Sequence, residues 1–385
     1  MAPDTKAPSP AALAFGGLIA LAGAMGIGRF LYTPVLPLMA EGAGLTPQQA
    51  GWIASANFAG YLLGALLAAL PGLSGRARAG LIAALAISAL TTGVMALDAP
   101  VWLWSLWRFL GGMASAFVLV FASALVVRRL QESGHGALSA IHFAGVGTGI
   151  LISALISEPW VVADADWPLI WLIGGALTAG ALLTALWLIP RAEPLGQTAA
   201  AGGAADPRLW RLVLAYGCLG FGYVITATFI VTILRESGAG RGAETLIWAL
   251  VGFAAIPSVA LWSRAARRHG GIRIYQIAMG LEAVGVGISI VEGWGAMIAA
   301  AILLGGTFMG LTALGFQEAA KRSSGDGRAI MALMTASFGT GQMIGPALAG
   351  WLRDLTGSFT LPSLIASAVL IFGALILIPM AREEG

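Results

Sequence analysis

The first long apolar stretch, residues 11–39, reads AALAFGGLIALAGAMGIGRFLYTPVLPLM, and its only charged residue is Arg29. A helix that crosses a membrane needs about 20 consecutive, predominantly apolar residues. The apolar core of a cleaved signal peptide is shorter, about 7–15 residues. The stretch therefore predicts a transmembrane helix that is retained in the mature protein.

Charged residues are scarce throughout the chain. Of its 385 residues, 58% are hydrophobic and 10% are charged, and the mean hydropathy is +0.87. A soluble domain carries roughly 25% charged residues, because its surface must stay hydrated. The composition excludes a soluble enzyme, a nucleic-acid-binding protein and a disordered scaffold, and it indicates that much of the surface faces lipid.

Twelve apolar runs predict an all-α integral membrane protein with twelve transmembrane helices. Gly supplies 54 of the 385 residues, and small residues allow membrane helices to pack closely. The runs lie near residues 11–39, 50–70, 79–97, 101–127, 137–160, 167–190, 209–234, 245–262, 274–291, 295–319, 329–352 and 361–381.

Lys and Arg divide unequally between the two alternating sets of connections. One set contains Arg235, Arg241 and Arg353, whereas the other set, with both termini, contains most of the 21 basic residues. Because Lys and Arg are enriched in cytoplasmic loops, we expect both termini to be cytoplasmic. Topology thus accounts for the basic charge without a nucleic-acid partner.

An internal repeat divides the chain into two similar parts. The glycine pair Gly26 and Gly28 of the first run matches Gly220 and Gly222 of the seventh at a constant offset. The longest polar connection, residues 191–208, is rich in small residues, as a flexible linker is. We therefore predict a six-helix half at 1–190, a cytoplasmic linker at 191–208 and a second half at 209–385. Parallel repeats of this kind place a substrate site between the halves, near the bilayer midplane.

The chain resembles the major facilitator superfamily along essentially its whole length, and most of all the YbfB/YjiJ-type branch. The resemblance rests on residues 26–39 (GIGRFLYTPVLPLM), residues 51–64, residues 108–116 (RFLGGMASA) and residues 339–346 (GTGQMIGP). It implies the major facilitator fold, with spans 1, 4, 7 and 10 around a central cavity. It also implies secondary transport across the bacterial cytoplasmic (inner) membrane.

One feature departs from the superfamily pattern, which usually places an Asp beside the Arg residues after span 2. Here that connection contains Arg76 and Arg78 without an acid, and its counterpart at 263–270 also lacks one. The usual cytoplasmic gating ion pair is therefore not expected in its common form. Residues predicted to act in gating or as hinges are Pro34, Pro37, Arg76, Arg78, Pro257, Gly345 and Pro346.

Two arginines are predicted to lie inside the membrane, where a charged group costs roughly 2.5–3.5 kcal/mol and usually has a partner or a function. Arg29 shares a helix face with Tyr32 and Thr33, and its planar fork suits a carboxylate. Alternatively, it hydrogen-bonds to backbone carbonyls freed by the nearby prolines. Arg108 either contacts substrate at a similar depth or joins helices by hydrogen bonds.

Two titratable residues are candidates for coupling transport to protons. Glu282 falls at the middle of span 9, and His142 lies in the cytoplasmic half of span 5; either could instead be a hydrogen-bonded structural residue. Neutral hydrogen bonds to a substrate are expected from Asn57, Tyr223 and Thr226. Further neutral candidates are Thr228 and Gln342, and all of these groups could instead tie helices together.

These patterns predict a secondary active transporter that moves a small organic solute, anionic or carboxylate-bearing, by alternating access. A gradient must drive it, because no ATP-binding motif is present. One alternative is an exporter of drugs or hydrophobic metabolites. Another is a transporter-like sensor or assembly partner without net flux. A membrane enzyme would need clustered His, Asp or Cys, so we expect no catalytic residues, no cofactor and no metal. The expected partners are lipid, the solute and protons, and the protein is expected to be a monomer.

Overall fold

The computed structural model describes residues 8–68, 70, 76–163, 166–190, 208–238, 240–323 and 327–384. Throughout these ranges the regular structure is helical, with no β-strand. The predicted linker at 191–208 lies outside the described residues except for Arg208. The boundaries of the two halves therefore stay a prediction.

The predicted all-α architecture is confirmed. A π-helical turn at Ala22–Ile27 joins the first two helices, and a short 3₁₀ turn at Gly136–Leu138 precedes α6. The helices are α1 (Pro10–Leu21), α2 (Tyr32–Ala43), α3 (Pro47–Ala68), α4 (Ala77–Val94), α5 (Val101–Glu132), α6 (Ser139–Ala163), α7 (Pro168–Leu188), α8 (Leu209–Glu236), α9 (Arg241–His269), α10 (Gly271–Ile288), α11 (Trp294–Arg322), α12 (Gly327–Thr356), α13 (Thr360–Ile376) and α14 (Ile378–Ala381).

Nine helical segments of the described chain are long and apolar enough to cross a membrane, with the segment Pro10–Ala43 taken as one. The predicted spans that fall outside this group are α10, α12 and α13. The α13 helix has only 17 residues, and the other two carry charged or amide side chains such as Glu282 and Gln342. The count of twelve spans stays a prediction.

The first span is not a continuous α-helix, and Arg29 lies at the break. The π-helical turn ends at Ile27, and α2 begins at Tyr32. The amide of Thr33 bonds to the Phe30 carbonyl at 3.2 Å, one residue short of the α-helical partner. Pro34 has no N–H to donate. Carbonyl oxygens just before α2 are therefore left for partners from other helices.

Alternating helix directions give the molecule two different ends. The basic end, as we call it, carries residues such as Arg78, Arg128 and Arg322, together with the ion pair between Arg208 and Glu383. The acidic end carries Glu41, Asp98, Glu236 and Asp354 among its connections. The names describe charge only, and the assignment of the basic end to the cytoplasm stays a prediction.

Glycines close the acidic end where α3 crosses α12. A Cβ atom at Gly51 would lie 2.3 Å from the Pro346 carbonyl oxygen, and one at Gly350 would lie 2.3 Å from that of Pro47. The backbones are therefore in direct contact, as small residues allow in membrane proteins. The backbone N–H of Gln48 also donates to Asp354 at 3.1 Å. We call this contact the α3–α12 seal.

Ion pairs reinforce the closure of the acidic end. Arg235 of α8 bonds to Glu244 of α9 at 2.6 Å and to Glu41 of α2 at 2.9 Å. The Glu244 side chain is buried, whereas that of Glu41 is 53% exposed. Arg353 of α12 pairs with Glu236 of α8 at 2.9 Å. Four helices are thus held together by charge at this end.

Candidate functional site

A cavity of about 700 Å³ lies between the helices on the basic side of the seal. It is walled by α3, α5 and α6 on one side and by α8, α11 and α12 on the other, and its rim includes Leu70, which is 51% exposed. Volumes of roughly 300–1,000 Å³ are typical of small-molecule sites. The cavity is therefore large enough for an organic solute.

The cavity wall is aromatic and apolar, and none of its described lining residues is charged. Neutral polar groups come from Ser123, Thr312, Gln317 and Thr335. The aromatic side chains of the wall are Tyr61, Phe143, Tyr216, Phe316 and Phe338. A permanently charged group lies just behind this wall.

Arg29 lies behind the ring of Tyr61 at the inner end of the cavity. Its guanidinium carbon is 4.1 Å from the centroid of the Tyr61 ring and 4.6 Å from that of Phe58. Its Nη2 atom donates to the Gln342 side-chain oxygen at 3.0 Å. The residue is only 4% exposed. Tyr61 belongs to the cavity wall, so one side chain contacts both Arg29 and the cavity.

Gln342 connects Arg29 to Tyr223. The Gln342 amide nitrogen donates to the Tyr223 hydroxyl, and the Tyr223 ring stacks on Phe308 at 5.4 Å and on Phe338 at 5.9 Å. Within the described residues, no carboxylate forms an ion pair with Arg29, and its Nε atom has no hydrogen-bond partner. The positive charge is thus surrounded by neutral groups and aromatic rings.

Arg108 has a different environment, although it is as deeply buried. Its two terminal nitrogens donate to the carbonyls of Gly28 at 2.9 Å and Arg29 at 2.7 Å. These are the carbonyls left free at the break in the first span. The sequence offered Arg29 as a possible donor to such freed carbonyls. In the structure, Arg108 is the donor. The Arg108 guanidinium is therefore already bonded to the backbone of Gly28 and Arg29.

The neutral candidates are divided between helix contacts and unpaired groups. Tyr32 donates to the Ala50 carbonyl at 3.0 Å, and Thr33 donates to the Ala227 carbonyl at 2.7 Å. Asn57 donates to the Arg108 carbonyl at 2.8 Å, but its side-chain oxygen has no partner among the described residues. The Thr226 hydroxyl is buried and likewise finds no partner in the described part of the chain. The structure gathers Arg29, Asn57, Arg108 and Tyr223 around one region.

The two coupling candidates lie apart from each other. Both carboxyl oxygens of Glu282 are buried, and neither has a hydrogen-bond partner among the described residues. His142 on α6 instead contacts the Ser123 hydroxyl through Nε2 at 3.0 Å. Since Ser123 lines the cavity, His142 lies behind its wall.

The gating and hinge candidates occupy several parts of the molecule. Pro346 belongs to the seal, and Gly345 packs against Val224 of α8. Arg78 donates to the carbonyls of Leu186 and Ile189 at the end of α7, so it caps a helix C-terminus. The others also have defined positions: Pro34 and Pro37 are buried in α2, whereas Arg76 and Pro257 are exposed.

A group of ion pairs around Glu318 at the basic end was not predicted. Glu318 of α11 is buried and pairs with Lys321 at 2.6 Å and with Arg322. A Cβ atom at Gly271 would collide with the Glu318 carboxylate. The connection between α9 and α10 thus packs on an acid supplied by α11. In the described part of the chain, no group of three or more His, Cys, Asp or Glu side chains could hold a metal ion.

Sequence reasoning missed the aromatic wall around Arg29. Tyr61 is one turn beyond Asn57 on α3, and Phe338 is one turn before Gln342 on α12. Residues four apart share a helix face. Extending each polar candidate by one turn would therefore have identified both rings.

Comparison with known proteins identifies the family. Residues 21–378 match the family model described as uncharacterised MFS-type transporter YbfB. The chain belongs to this family. It is a multi-pass membrane protein of the major facilitator superfamily, as the resemblance implied.

Individual relatives agree with this assignment. The chain is 28% identical to the Streptomyces coelicolor protein named "Probable transporter SCO4007" over 91% of this chain and 85% of that one. A relative from Agrobacterium vitis, named as a candidate tartrate transporter, is 24% identical over 51% of this chain and 46% of its own. The crystal structure of the nucleoside transporter NupG shares the fold at a TM-score of 0.73 and 15% identity, covering 96% of this chain and 98% of that one.

Proposed function

We propose that this MFS transporter is a secondary active carrier of a small organic anion with a carboxylate group. The observation that carries the proposal is Arg29, a buried guanidinium at the inner end of a solute-sized cavity without an acidic partner among the described residues. A carboxylate would supply the missing negative charge and could bind the planar fork through two oxygens.

The closed acidic end and the cavity on the basic side support an alternating-access mechanism. If the basic end faces the cytoplasm of a bacterial inner membrane, this is the inward-facing conformation. We propose that the halves 1–190 and 209–385 rock against each other, breaking the α3–α12 seal to release or admit solute outside. The ion pair between Arg235 and Glu41 joins the two halves at that point.

A second candidate function is export of hydrophobic compounds, which the apolar lining favours. It differs from the first in a measurable way, because a neutral hydrophobic solute needs no contact with Arg29. A transporter-like sensor differs from both, because it would bind solute without net flux.

Counterflow in proteoliposomes tests these functions. We expect vesicles loaded with an unlabelled carboxylate to accumulate the same labelled carboxylate, and protein-free vesicles to accumulate none. The panel includes aliphatic and aromatic carboxylates, organic amines and neutral amides. Exchange of neutral compounds alone would favour the hydrophobic exporter, and binding without exchange of any compound would favour the sensor. The name of the Agrobacterium vitis relative is a reason to include tartrate.

Glu282 is the proposed proton carrier of this transport cycle. Its carboxyl group is buried, and neither oxygen has a hydrogen-bond partner among the described residues, so binding a proton would remove an uncompensated charge from the membrane interior. We expect Glu282→Gln to retain counterflow, because exchange needs no net proton movement, but to lose accumulation driven by a pH gradient by at least tenfold.

The matched control for Glu282→Gln is Glu132→Gln, which removes an exposed carboxylate at the basic end. Undiminished pH-driven uptake in Glu282→Gln would exclude Glu282 as the carrier. His142→Gln tests the other coupling candidate in the same pair of assays.

A further inference from the structure

The cavity and Arg29 together favour a solute that has a charged group at one end and an apolar body at the other. We propose that the transported anion is an amphipathic monocarboxylate with an aromatic or similarly bulky apolar body, rather than a compact polar dicarboxylate. The inference rests on the proposed function, since it names the class of anion that the same site would take.

The number of available cationic groups limits the charge of the solute. Among the described residues at the inner end of the cavity, Arg29 and Arg108 are the buried cations. The terminal nitrogens of Arg108 are bonded to the carbonyls of Gly28 and Arg29, whereas the Arg29 guanidinium contacts neutral groups among the described residues, the Gln342 amide and the Tyr61 side chain. One fork is therefore available for one carboxylate. A second carboxylate on the solute would lie unpaired against apolar wall, which is strongly unfavourable.

The wall specifies the rest of the solute. Phe143, Phe316 and Met309 face the cavity from α6 and α11, and its described lining residues include no charged group. The neutral polar side chains of the wall, Ser123, Thr312, Gln317 and Thr335, already bond to other protein groups. Hydroxyl groups along a solute would therefore compete with these bonds, and buried polar groups without partners are costly. An aromatic ring, in contrast, gains by leaving water and by stacking on other rings.

The position of Tyr61 links the two parts of the site. Its ring forms part of the wall and also covers the Arg29 guanidinium at 4.1 Å. Displacement of this ring would expose Arg29 to a carboxylate in the cavity, and an aromatic group of the solute could then fill the position that the Tyr61 ring had left in the wall. A compact polar acid would displace the Tyr61 ring but has no aromatic group to fill its position in the wall.

Four labelled probes test the inference by equilibrium binding to the purified full-length protein. They are 3-phenylpropanoate, propanoate, 3-phenylpropanamide and tartrate. We expect 3-phenylpropanoate to bind at least tenfold more tightly than propanoate and the amide, and at least a hundredfold more tightly than tartrate. Phe143→Ala should reduce the preference for 3-phenylpropanoate over propanoate at least threefold. Phe253→Ala, on the outer face where Phe253 is 65% exposed, should not change it.

The outcomes separate this inference from the proposed function. Binding of tartrate or propanoate as tight as that of 3-phenylpropanoate overturns the inference but leaves an anion carrier. Equal binding of the amide and the acid overturns both, because the charge then has no role. If none of the probes binds, the inference is wrong, and the counterflow panel decides whether an organic anion is carried at all.

Discussion

Arg29→Gln is expected to abolish carboxylate exchange in proteoliposomes while the protein still folds. Breaking a buried, hydrogen-bonded charge pair costs about 2–5 kcal/mol, which is roughly 30-fold to several-thousand-fold in affinity. The fold should tolerate the change, because Gln is neutral and the substitution removes a buried charge that has no acidic partner among the described residues.

Two further variants sharpen this prediction. Arg29→Lys keeps the charge but loses the planar fork and should also be strongly impaired. Arg128→Gln is the matched control, since Arg128 is exposed at the basic end and pairs with Glu132; it should exchange normally. Full exchange by Arg29→Gln, with folding confirmed by gel filtration and thermal unfolding, would remove Arg29 from the site.

Gly51→Val is expected to hold the acidic end open and to stop transport. The new side chain would collide with the Pro346 carbonyl, which lies 2.3 Å from an ideal Cβ atom at Gly51. Since that neighbour is backbone, the helices themselves must separate. Ala54, one turn further into α3 and 2% exposed, should become accessible from the acidic end.

Labelling with a membrane-impermeant maleimide measures the opening. The variants carry Ala54→Cys in a Cys218→Ser background, because Cys218 is the single cysteine. Gly51→Val should accelerate labelling at least tenfold and reduce exchange to background. Gly180→Val is the control, since no described atom lies within 4 Å of a Cβ there. Slow labelling together with normal exchange in Gly51→Val would show that the α3–α12 seal does not gate transport.

Much of the fold could be predicted, because the length and apolar composition of each stretch indicate a transmembrane helix without reference to the rest of the chain. The stretch at residues 11–39 is long, apolar and nearly free of charge, so its transmembrane nature depends on no other part of the chain. Arg29 and Glu282 also stand out, because a charge in such a stretch is rare whatever surrounds it. Both residues are buried in the structure.

The partners of these residues could not be predicted, because they depend on how distant helices meet. Arg29 contacts Gln342 across 313 positions of the chain, and one sequence contains no signal for that pairing. The break before Tyr32 was expected at the prolines, yet it begins at the π-helical turn, where Arg108 supplies the compensating hydrogen bonds. Local rules indicated a bend but not its position.

The α3 and α12 helices each carry two of the features described above. At its acidic end each contributes a glycine to the seal, Gly51 or Gly350, and nearer the basic end each contributes a ring to the cavity wall, Tyr61 or Phe338. These helices, of 22 and 30 residues, connect the seal directly to the cavity wall. We therefore expect a solute that pushes the two rings apart to weaken the seal as well. We expect a molecule too small to move the rings to occupy the cavity without being carried, and such molecules are natural starting points for inhibitors.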